Sequence, residues 1–258
     1  MRIAVITLSE EGAAVAMRLA EGVPDADVFL HESIDPQWHG QRFKSMVRLT
    51  EEIFHHYQGL IYIAPCGAVV RAVAQNIKHK TSDPGVVVVD VCARYAVSLL
   101  SGHEGGANDL AVTVGNIIGA EPVVTTTTDA KKNLIVGVGC RKGAKAANIV
   151  AAVKAGLDEA NAKLDHVRLL SSADIKADEE GLIEAARELG LPLRLIPSDE
   201  IRNSNKQFRH SHFVQEKVNL PAVAEPSALL AGRRTRLILR KRKFNGVTVA
   251  VALENCSW

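Results

Sequence analysis

Aromatic residues are scarce in this chain. Only 4% of its 258 residues are Phe, Trp or Tyr, whereas hydrophobic residues as a whole reach 47% and charged residues 23%. This balance is typical of a folded protein and argues against a disordered chain. Because Ala, Val, Leu and Ile supply most of the apolar residues, we expect parallel strands covered by helices on both faces rather than an all-β fold.

Cysteine is also rare, and its spacing carries no motif. The four cysteines form no Cys-x-x-Cys pair and lie far apart, at Cys66, Cys92, Cys140 and Cys256. This pattern argues against a zinc knuckle or a redox motif and favours reduced thiols in a cytoplasmic protein. His210 and His212 have a spacing that suits chelation, but no carboxylate or thiol stands at a recognisable spacing from them. We therefore expect no metal site built by the protein.

The sequence lacks a long hydrophobic run and a large excess of one charge. Its first apolar stretch ends at Ser9, too early for a signal sequence or a membrane span, so we expect no membrane partner. The formal net charge is +2, although seven of the eleven residues 233–243 are Lys or Arg. No aromatic residue interrupts this cluster to stack on bases, which favours a solvated strand edge over nucleic-acid contact.

Alternating apolar runs and helical stretches predict an α/β protein of two domains, residues 1–132 and 133–258. Each is expected to hold a small, mostly parallel sheet flanked by helices. Ser9 is the predicted N-cap of the first helix. The second domain is expected to end in a β-hairpin, because Asn245-Gly246 separates two apolar runs.

A glycine-rich segment, residues 101–108, leaves an apolar strand and enters a helix. Its side chains that can carry chemistry are His103, a candidate for proton transfer near neutral pH, and Glu104, which can activate water or orient His103. The N–H groups of Gly105 and Gly106 are candidate donors to a carboxylate or an oxyanion. The alternative is a tight turn whose glycines satisfy geometry and whose histidine is solvated.

Further polar residues follow predicted strands. Asp90 ends one strand and Thr127 and Asp129 follow the next, so all three are candidates to line one strand-end cleft with the glycine-rich segment. The alternative is structural, since Asp caps turns and Thr favours strands.

A second loop, residues 137–143, also joins a strand to a helix. It matches neither Gly-x-Gly-x-x-Gly nor the phosphate-binding P-loop, which argues against a nucleotide-dependent transferase. The loop instead offers a backbone cradle at Gly139 beside Arg141 and Lys142, which suits carboxylates.

Six segments, taken together, resemble one family. Residues 67–74, 83–90 and 99–108 resemble the N-terminal domain of the cobalt-precorrin-5A hydrolase family, and residues 137–143, 173–179 and 223–230 resemble its C-terminal domain. Larger members have a middle segment between the equivalents of Asp129 and Gly137, so this is a compact form. Cys66 and Val91 depart from the family pattern, where a small hydroxyl residue and an acidic residue are expected.

The resemblance implies hydrolytic opening of a corrinoid δ-lactone with release of acetaldehyde, in anaerobic cobalamin biosynthesis. His103 and Glu104 would be catalytic. The substrate-binding residues would be Gly67, Arg71, Asp90, Ser101, Gly102, Gly105, Gly106, Asn108, Thr127, Asp129, Gly139, Arg141 and Lys142. Cobalt would arrive with the substrate, so no cofactor is expected. Possible partners are other enzymes of the pathway or a second copy of the chain. The alternative function is a non-catalytic carrier of corrinoid intermediates.

Overall fold

The computed structural model describes residues 2–211, 215, 216 and 218–254. The chain divides into two compact units, residues 1–126 and 127–258. Each unit contains its own sheet, and mixed α/β architecture with helices on the faces of two sheets is confirmed. In the part of the chain so described, no helix is long and apolar enough to cross a membrane.

The first unit contains seven strands and, in the residues described, four helices. The strands are β1 (Ile3–Thr7), β2 (Asp27–His31), β3 (Gln41–Phe43), β4 (Gly59–Ile63), β5 (Gly85–Val89), β6 (Tyr95–Leu100) and β7 (Glu121–Val123). The helices are α1 (Glu10–Gly22), α2 (Met46–Ile53), α3 (Cys66–Val73) and α4 (Ala107–Ile118). Ser9 caps α1 as expected, because its hydroxyl accepts the N–H of Gly12 at 3.3 Å.

The sheet of the first unit has the order β3-β2-β1-β4-β5-β6-β7. All neighbours are parallel except β5 and β6, which are antiparallel. Alternate side chains of β1 enter two different cores: Ile3 and Val5 pack in the cluster that includes α1 and α4, whereas Ala4 and Ile6 pack in the cluster that includes α2 and α3. Fully buried strands of this kind produce continuous apolar runs in the sequence.

The second unit contains five strands and, in the residues described, five α-helices. The strands are β8 (Leu134–Gly139), β9 (Val167–Ala173), β10 (Leu193–Ile196), β11 (Thr235–Phe244) and β12 (Val247–Glu254). The helices are α5 (Thr127–Ala130), α6 (Ala146–Glu159), α7 (Glu180–Leu189), α8 (Ser198–Arg202) and α9 (Ala224–Leu230), with 3₁₀ turns at Leu164–His166 and Asp174–Lys176.

The sheet of the second unit has the order β10-β9-β8-β12-β11, with parallel β10, β9 and β8 followed by the antiparallel pair β12 and β11. The predicted hairpin is confirmed. Asn245 and Gly246 both have positive φ, 46° and 88°, as a two-residue hairpin turn requires. The basic residues 235–243 therefore lie on β11, an edge strand.

Candidate functional site

The glycine-rich segment forms a closed turn between β6 and α4. The carbonyl of Ser101 accepts the N–H of Gly105 at 3.0 Å and that of Ala107 at 3.2 Å, and the carbonyl of His103 accepts the N–H of Gly106 at 3.2 Å. Ser101 and Gly106 have positive φ, 56° and 76°. A serine at such a φ is unusual, and its buried hydroxyl makes no hydrogen bond.

These bonds correct one expectation about the turn. The N–H groups of Gly105 and Gly106 were candidate donors to a ligand, but both donate inside the turn. Gly105 instead permits close packing, since a Cβ there would lie 2.8 Å from the carbonyl oxygen of Asp83 and 2.9 Å from the N–H nitrogen of Gly85. In this geometry the two glycines support the structure of the turn and leave ligand contact to its side chains.

Asn108 positions the turn from inside. It is 7% exposed, its carboxamide oxygen accepts the hydroxyl of Ser98 at 2.8 Å, and its amide donates to the hydroxyl of Thr126 at 3.0 Å. A Cβ on Gly102 would lie 2.8 Å from that same oxygen. Asn108 thus ties the first turn of α4 to β6 and to the segment after β7. Sequence reasoning had missed the role of Ser98 in this network.

His103 and Glu104 both lie exposed on the turn. The carboxylate of Glu104 lies 2.8 Å from the ammonium of Lys80. The hydrogen bond from Lys80 is the largest cause that lowers the pKa of Glu104, and the nearby charge of His103 adds to it. Glu104 is therefore an ionised partner for cations and a weaker base than an isolated carboxylate. Lys80 is a residue of this site that the sequence patterns did not single out.

Gly67, Arg71 and Asp90 lie at the other end of the sheet. Gly67 and Arg71 belong to α3, which follows the carboxyl end of β4, and Asp90 follows the carboxyl end of β5. Ser101 instead follows Leu100, which pairs with Val86 at the amino end of β5. The five residues of β5 separate the two ends by about 13 Å, at about 3.3 Å per residue.

The expected cleft that joins Asp90 to the glycine-rich segment is therefore wrong. It required β5 and β6 to point the same way, but β6 runs antiparallel to β5, so its carboxyl end meets the amino ends of β5 and β4. The glycine-rich turn consequently shares its edge with the segment after β7, which is parallel to β6.

The two charged residues at that other end have local partners. The guanidinium of Arg71 donates to the carbonyl of Gly67 at 3.0 Å. The carboxylate of Asp90 accepts the backbone N–H groups of Cys92, Arg94 and Tyr95 at 2.9–3.1 Å. Burial raises the pKa of Asp90, but these bonds and the side chain of Arg94 outweigh it and the net pKa is lowered. This is the structural role that Asp favours in turns.

Thr127 and Asp129 lie in α5, within the second unit. Thr127 is exposed, and the carboxylate of Asp129 lies 3.5 Å from the ammonium of Lys132.

The second unit contains a cavity of about 560 Å³ at the carboxyl end of β8. Gly139 and Arg141 line it, as does Thr248 of the paired strand β12, whereas Lys142 is exposed outside the lining. Three further cations come from the hairpin, Lys241, Arg242 and Lys243. This volume lies in the usual range for small-molecule sites, about 300–1,000 Å³, and the lining suits carboxylates.

One wall of this cavity is held by Glu225, a fully buried residue of α9. Its carboxylate accepts the backbone N–H of Lys241 at 2.8 Å and that of Arg209 at 2.6 Å. The ammonium of Lys241 donates to the carbonyls of Arg209 and His210 at 3.1 and 2.9 Å. Sequence reasoning had placed Glu225 within a family segment but gave it no role; burial of a carboxylate is not visible in the sequence.

Within residues 2–211, 215, 216 and 218–254, no three His, Cys, Asp or Glu side chains are grouped so as to hold a metal ion. His212, one half of the His210–His212 pair, lies outside the described residues.

Comparisons with known proteins match both units. A family model described as the N-terminal part of cobalamin synthesis G matches residues 48–129, and one described as its C-terminus matches residues 134–252. A cobalt-precorrin-5A hydrolase from Priestia megaterium is 25% identical in an alignment that covers 97% of this chain and 94% of the relative. That alignment spans 353 positions, against 258 residues here, so the relative has residues without a counterpart in this chain.

Two further relatives match about half of the chain. A cobalt-precorrin-5A hydrolase from Salmonella typhimurium is 37% identical, covering 50% of this chain and 37% of the relative. The solved structure of cobalamin biosynthesis protein chiG from Agrobacterium tumefaciens is 31% identical, covers 47% of this chain and 98% of that chain, and superimposes with a TM-score of 0.38.

These matches define a two-part α/β protein of cobalamin biosynthesis. The chain belongs to the cobalamin synthesis G family, CbiG, and the resemblance inferred from its six segments is confirmed.

Proposed function

We propose that this chain is a cobalt-precorrin-5A hydrolase, which opens the δ-lactone of its corrinoid substrate and releases acetaldehyde. The observation that carries the proposal is the alignment to the Priestia megaterium hydrolase over 97% of this chain and 94% of that enzyme. A match over nearly the full length of both chains supports a shared activity better than a match of one domain.

The basic cavity of the second unit is assigned to the carboxylates of the substrate. Corrinoid intermediates carry several acetate and propionate groups, and Arg141 and Lys243 are cations of that lining, whereas Arg242 is paired with Glu159 at 3.0 Å. Cobalt belongs to the substrate, and the proposal needs no cofactor held by the protein.

The glycine-rich turn is assigned to proton transfer. Water adds to the lactone carbonyl, the ring C–O bond breaks, and the products are a carboxylate and a free hydroxyl. Loss of a proton from that hydroxyl then breaks the adjacent carbon–carbon bond; acetaldehyde leaves and the macrocycle takes up the electron pair and a proton. His103 is the group proposed to move these protons, because an exposed imidazole can both accept and donate near neutral pH.

Glu104 and Lys80 support this role electrostatically. The carboxylate of Glu104 stabilises a protonated His103, whose charge contributes to the lowered pKa of Glu104. The N–H groups of Gly105 and Gly106 are engaged in the turn, so the oxyanion is assigned to a side chain. The ammonium of Lys80 has three N–H bonds. One donates to the carboxylate of Glu104, and the other two are proposed as donors to the oxyanion.

The proposal is tested by anaerobic incubation with cobalt-precorrin-5A while acetaldehyde is measured. The wild-type protein should release acetaldehyde, and His103→Ala should lower the rate by about 100-fold or more, as loss of an acid–base group does. Glu104→Gln should have a smaller effect, because it keeps His103. His166→Ala, which removes an exposed histidine of the second unit, is the matched control and should retain the wild-type rate.

The carrier function predicts a different result. Binding of the substrate can be followed by a change in the absorption spectrum of the corrinoid. If folded wild-type protein binds the substrate but releases no acetaldehyde, the hydrolase proposal is wrong. Equal rates for His103→Ala and His166→Ala would leave the hydrolase assignment standing and remove His103 from the chemistry.

A further inference from the structure

The first unit also contains a cavity, distinct from the one in the second unit, which none of the sequence patterns indicated. It measures about 510 Å³ and lies between the edge strand β3, the start of α2 and the first residue of the described chain, Arg2. Its lining combines an apolar floor with a cationic rim. The floor consists of Phe29, Phe43, Leu49, Ile53 and Tyr57, each no more than 8% exposed, and the cations are Arg2, Arg42, Lys44 and Arg48.

Within the part of the chain that the structure describes, Arg48 is the cation of the lining that faces the cavity without a carboxylate partner. Arg42 pairs with Leu30 and directs its guanidinium to the carbonyls of Ile34, Asp35 and Trp38, at 2.7–3.1 Å, on the face of the sheet opposite to the floor of the cavity. Arg48 is exposed, and no ion pair to it exists among the described residues. Glu52 is the one acidic residue of the lining. The cavity therefore has an excess of positive charge next to apolar surface.

One wall is fixed before any ligand arrives. The guanidinium of Arg2 lies 4.6 Å above the ring of Tyr57, and both residues bond to Asp27. Burial and the Asp27 carboxylate raise the pKa of Tyr57 to about 12, so its phenol stays neutral and adds no negative charge.

The amino end of α2 adds to the positive electrostatic potential of the cavity. Ser45 precedes the helix without capping it through its side chain, and both Ser45 and Arg48 line the cavity. The first N–H groups of a helix have no partner within it and carry a partial positive charge.

We propose that this cavity binds an organic anion whose flat apolar part contacts Phe29 and Phe43 while its carboxylate pairs with Arg48. The proposal is independent of the hydrolase function, since it uses no residue of the glycine-rich turn or of the basic cavity in the second unit.

Isothermal titration calorimetry with three probes tests it: 2-naphthoate, which has ring and charge; 2-naphthalenemethanol, which has the ring alone; and acetate, which has the charge alone. The naphthoate should bind with one-to-one stoichiometry and at least about tenfold more tightly than either partial probe. Arg48→Gln should weaken naphthoate binding about tenfold, as loss of a charge-assisted hydrogen bond does, and should leave naphthalenemethanol unchanged. Arg48→Lys should retain most of the affinity.

Lys154→Gln is the matched control. It removes one positive charge from an exposed residue of α6, outside the cavity, and should bind naphthoate as the wild type does. Equal weakening by Arg48→Gln and Lys154→Gln would show a non-specific charge effect and overturn the proposal, as would equal affinity for naphthoate and naphthalenemethanol. Circular dichroism of each variant excludes misfolding as the cause of a loss.

Discussion

At the scale of single residues, the ion pair between Lys80 and Glu104 changes the chemistry open to the turn. A solvated carboxylate next to a histidine can act as a base, but a carboxylate that accepts a hydrogen bond from an ammonium at 2.8 Å is a weaker one. The sequence placed Glu104 beside His103 and indicated a catalytic pair. It could not indicate Lys80, because that contact joins two loops 24 positions apart and depends on their tertiary packing.

Lys80→Gln should raise the pKa of Glu104 towards its ordinary value, because the hydrogen bond from Lys80 is the largest cause of the lowered pKa. The sign follows from linkage. Because the pKa of Glu104 is lower in the folded state, its ionised carboxylate stabilises the folded protein at pH values above the ordinary titration range of a carboxyl group. This stabilisation is lost as the pH falls through the lowered pKa. The carboxyl carbon shift of Glu104, followed by NMR against pH, measures the change.

Lys78→Gln provides the control for this titration. Lys78 is an exposed lysine of the same loop, and its described contact is made by its backbone N–H, to Asp83. The variant removes the same charge and should leave the Glu104 titration almost unchanged. A similar pKa change in both variants would mean that general charge, and not the ion pair, sets the pKa.

At the scale of elements, one reversed strand decides which predicted residues meet. The apolar runs of β1, β4 and β5, the N-cap at Ser9 and the Asn245-Gly246 hairpin were all predicted from local sequence, because each depends on periodicity or on a local backbone requirement. The direction of β6 was not. Residues 90–95 form a short connection in which Asp90 accepts three backbone N–H groups, and this turn sends β6 back along β5.

The same limit explains the other corrections. The two-residue periodicity that predicts a strand carries no direction, so Asp90 was grouped with a turn that lies at the opposite end of the sheet. The short edge strand β3, with three residues, offers too few positions for any period to be read. The cavity beside β3 could therefore not be predicted from the sequence, although its Arg and Lys residues all lie between residues 2 and 48.

Substitutions of Gly105, which packs closely in the glycine-rich turn, and of Gly67, which lies in α3, should change the stability of the protein in opposite directions. Gly105→Ala should lower the free energy of unfolding by about 1–3 kcal/mol, the usual cost of overpacking, because its Cβ would lie 2.5 Å from the Cβ of Ser101 and 2.8 Å from the carbonyl oxygen of Asp83. Gly67→Ala should raise it by up to about 1 kcal/mol, because Gly67 is helical and its nearest atom, on Arg71, lies 3.5 Å away.

Urea denaturation of both variants measures the difference. The pair separates steric packing from the general effect of replacing glycine, since both changes add the same methyl group. If Gly105→Ala were as stable as the wild type, the close approach of the turn to residues 83–85 would be contradicted.

At the scale of the whole molecule, each unit contains the parts of an independent domain. The first unit has cores on both faces of a seven-stranded sheet, and the second has one large cluster under α6 and α7 and a smaller one under α9. The family models divide at nearly the same place, between residues 129 and 134. From the sequence, a division after residue 132 is expected because a polar stretch separates two complete series of apolar runs.

Residues 127–258 should therefore fold without the first unit. The fragment keeps the whole sheet β10-β9-β8-β12-β11 and the helices that cover it, so it buries its apolar faces internally. We expect dispersed amide resonances by NMR and one cooperative thermal transition. A shorter fragment, residues 146–258, is the control: it lacks β8, which lies between β9 and β12 and pairs with both. Its two remaining strand pairs have no central strand to join them, and it should show neither property. A disordered spectrum for residues 127–258 would mean that the second unit depends on the first for its stability, in spite of having its own core.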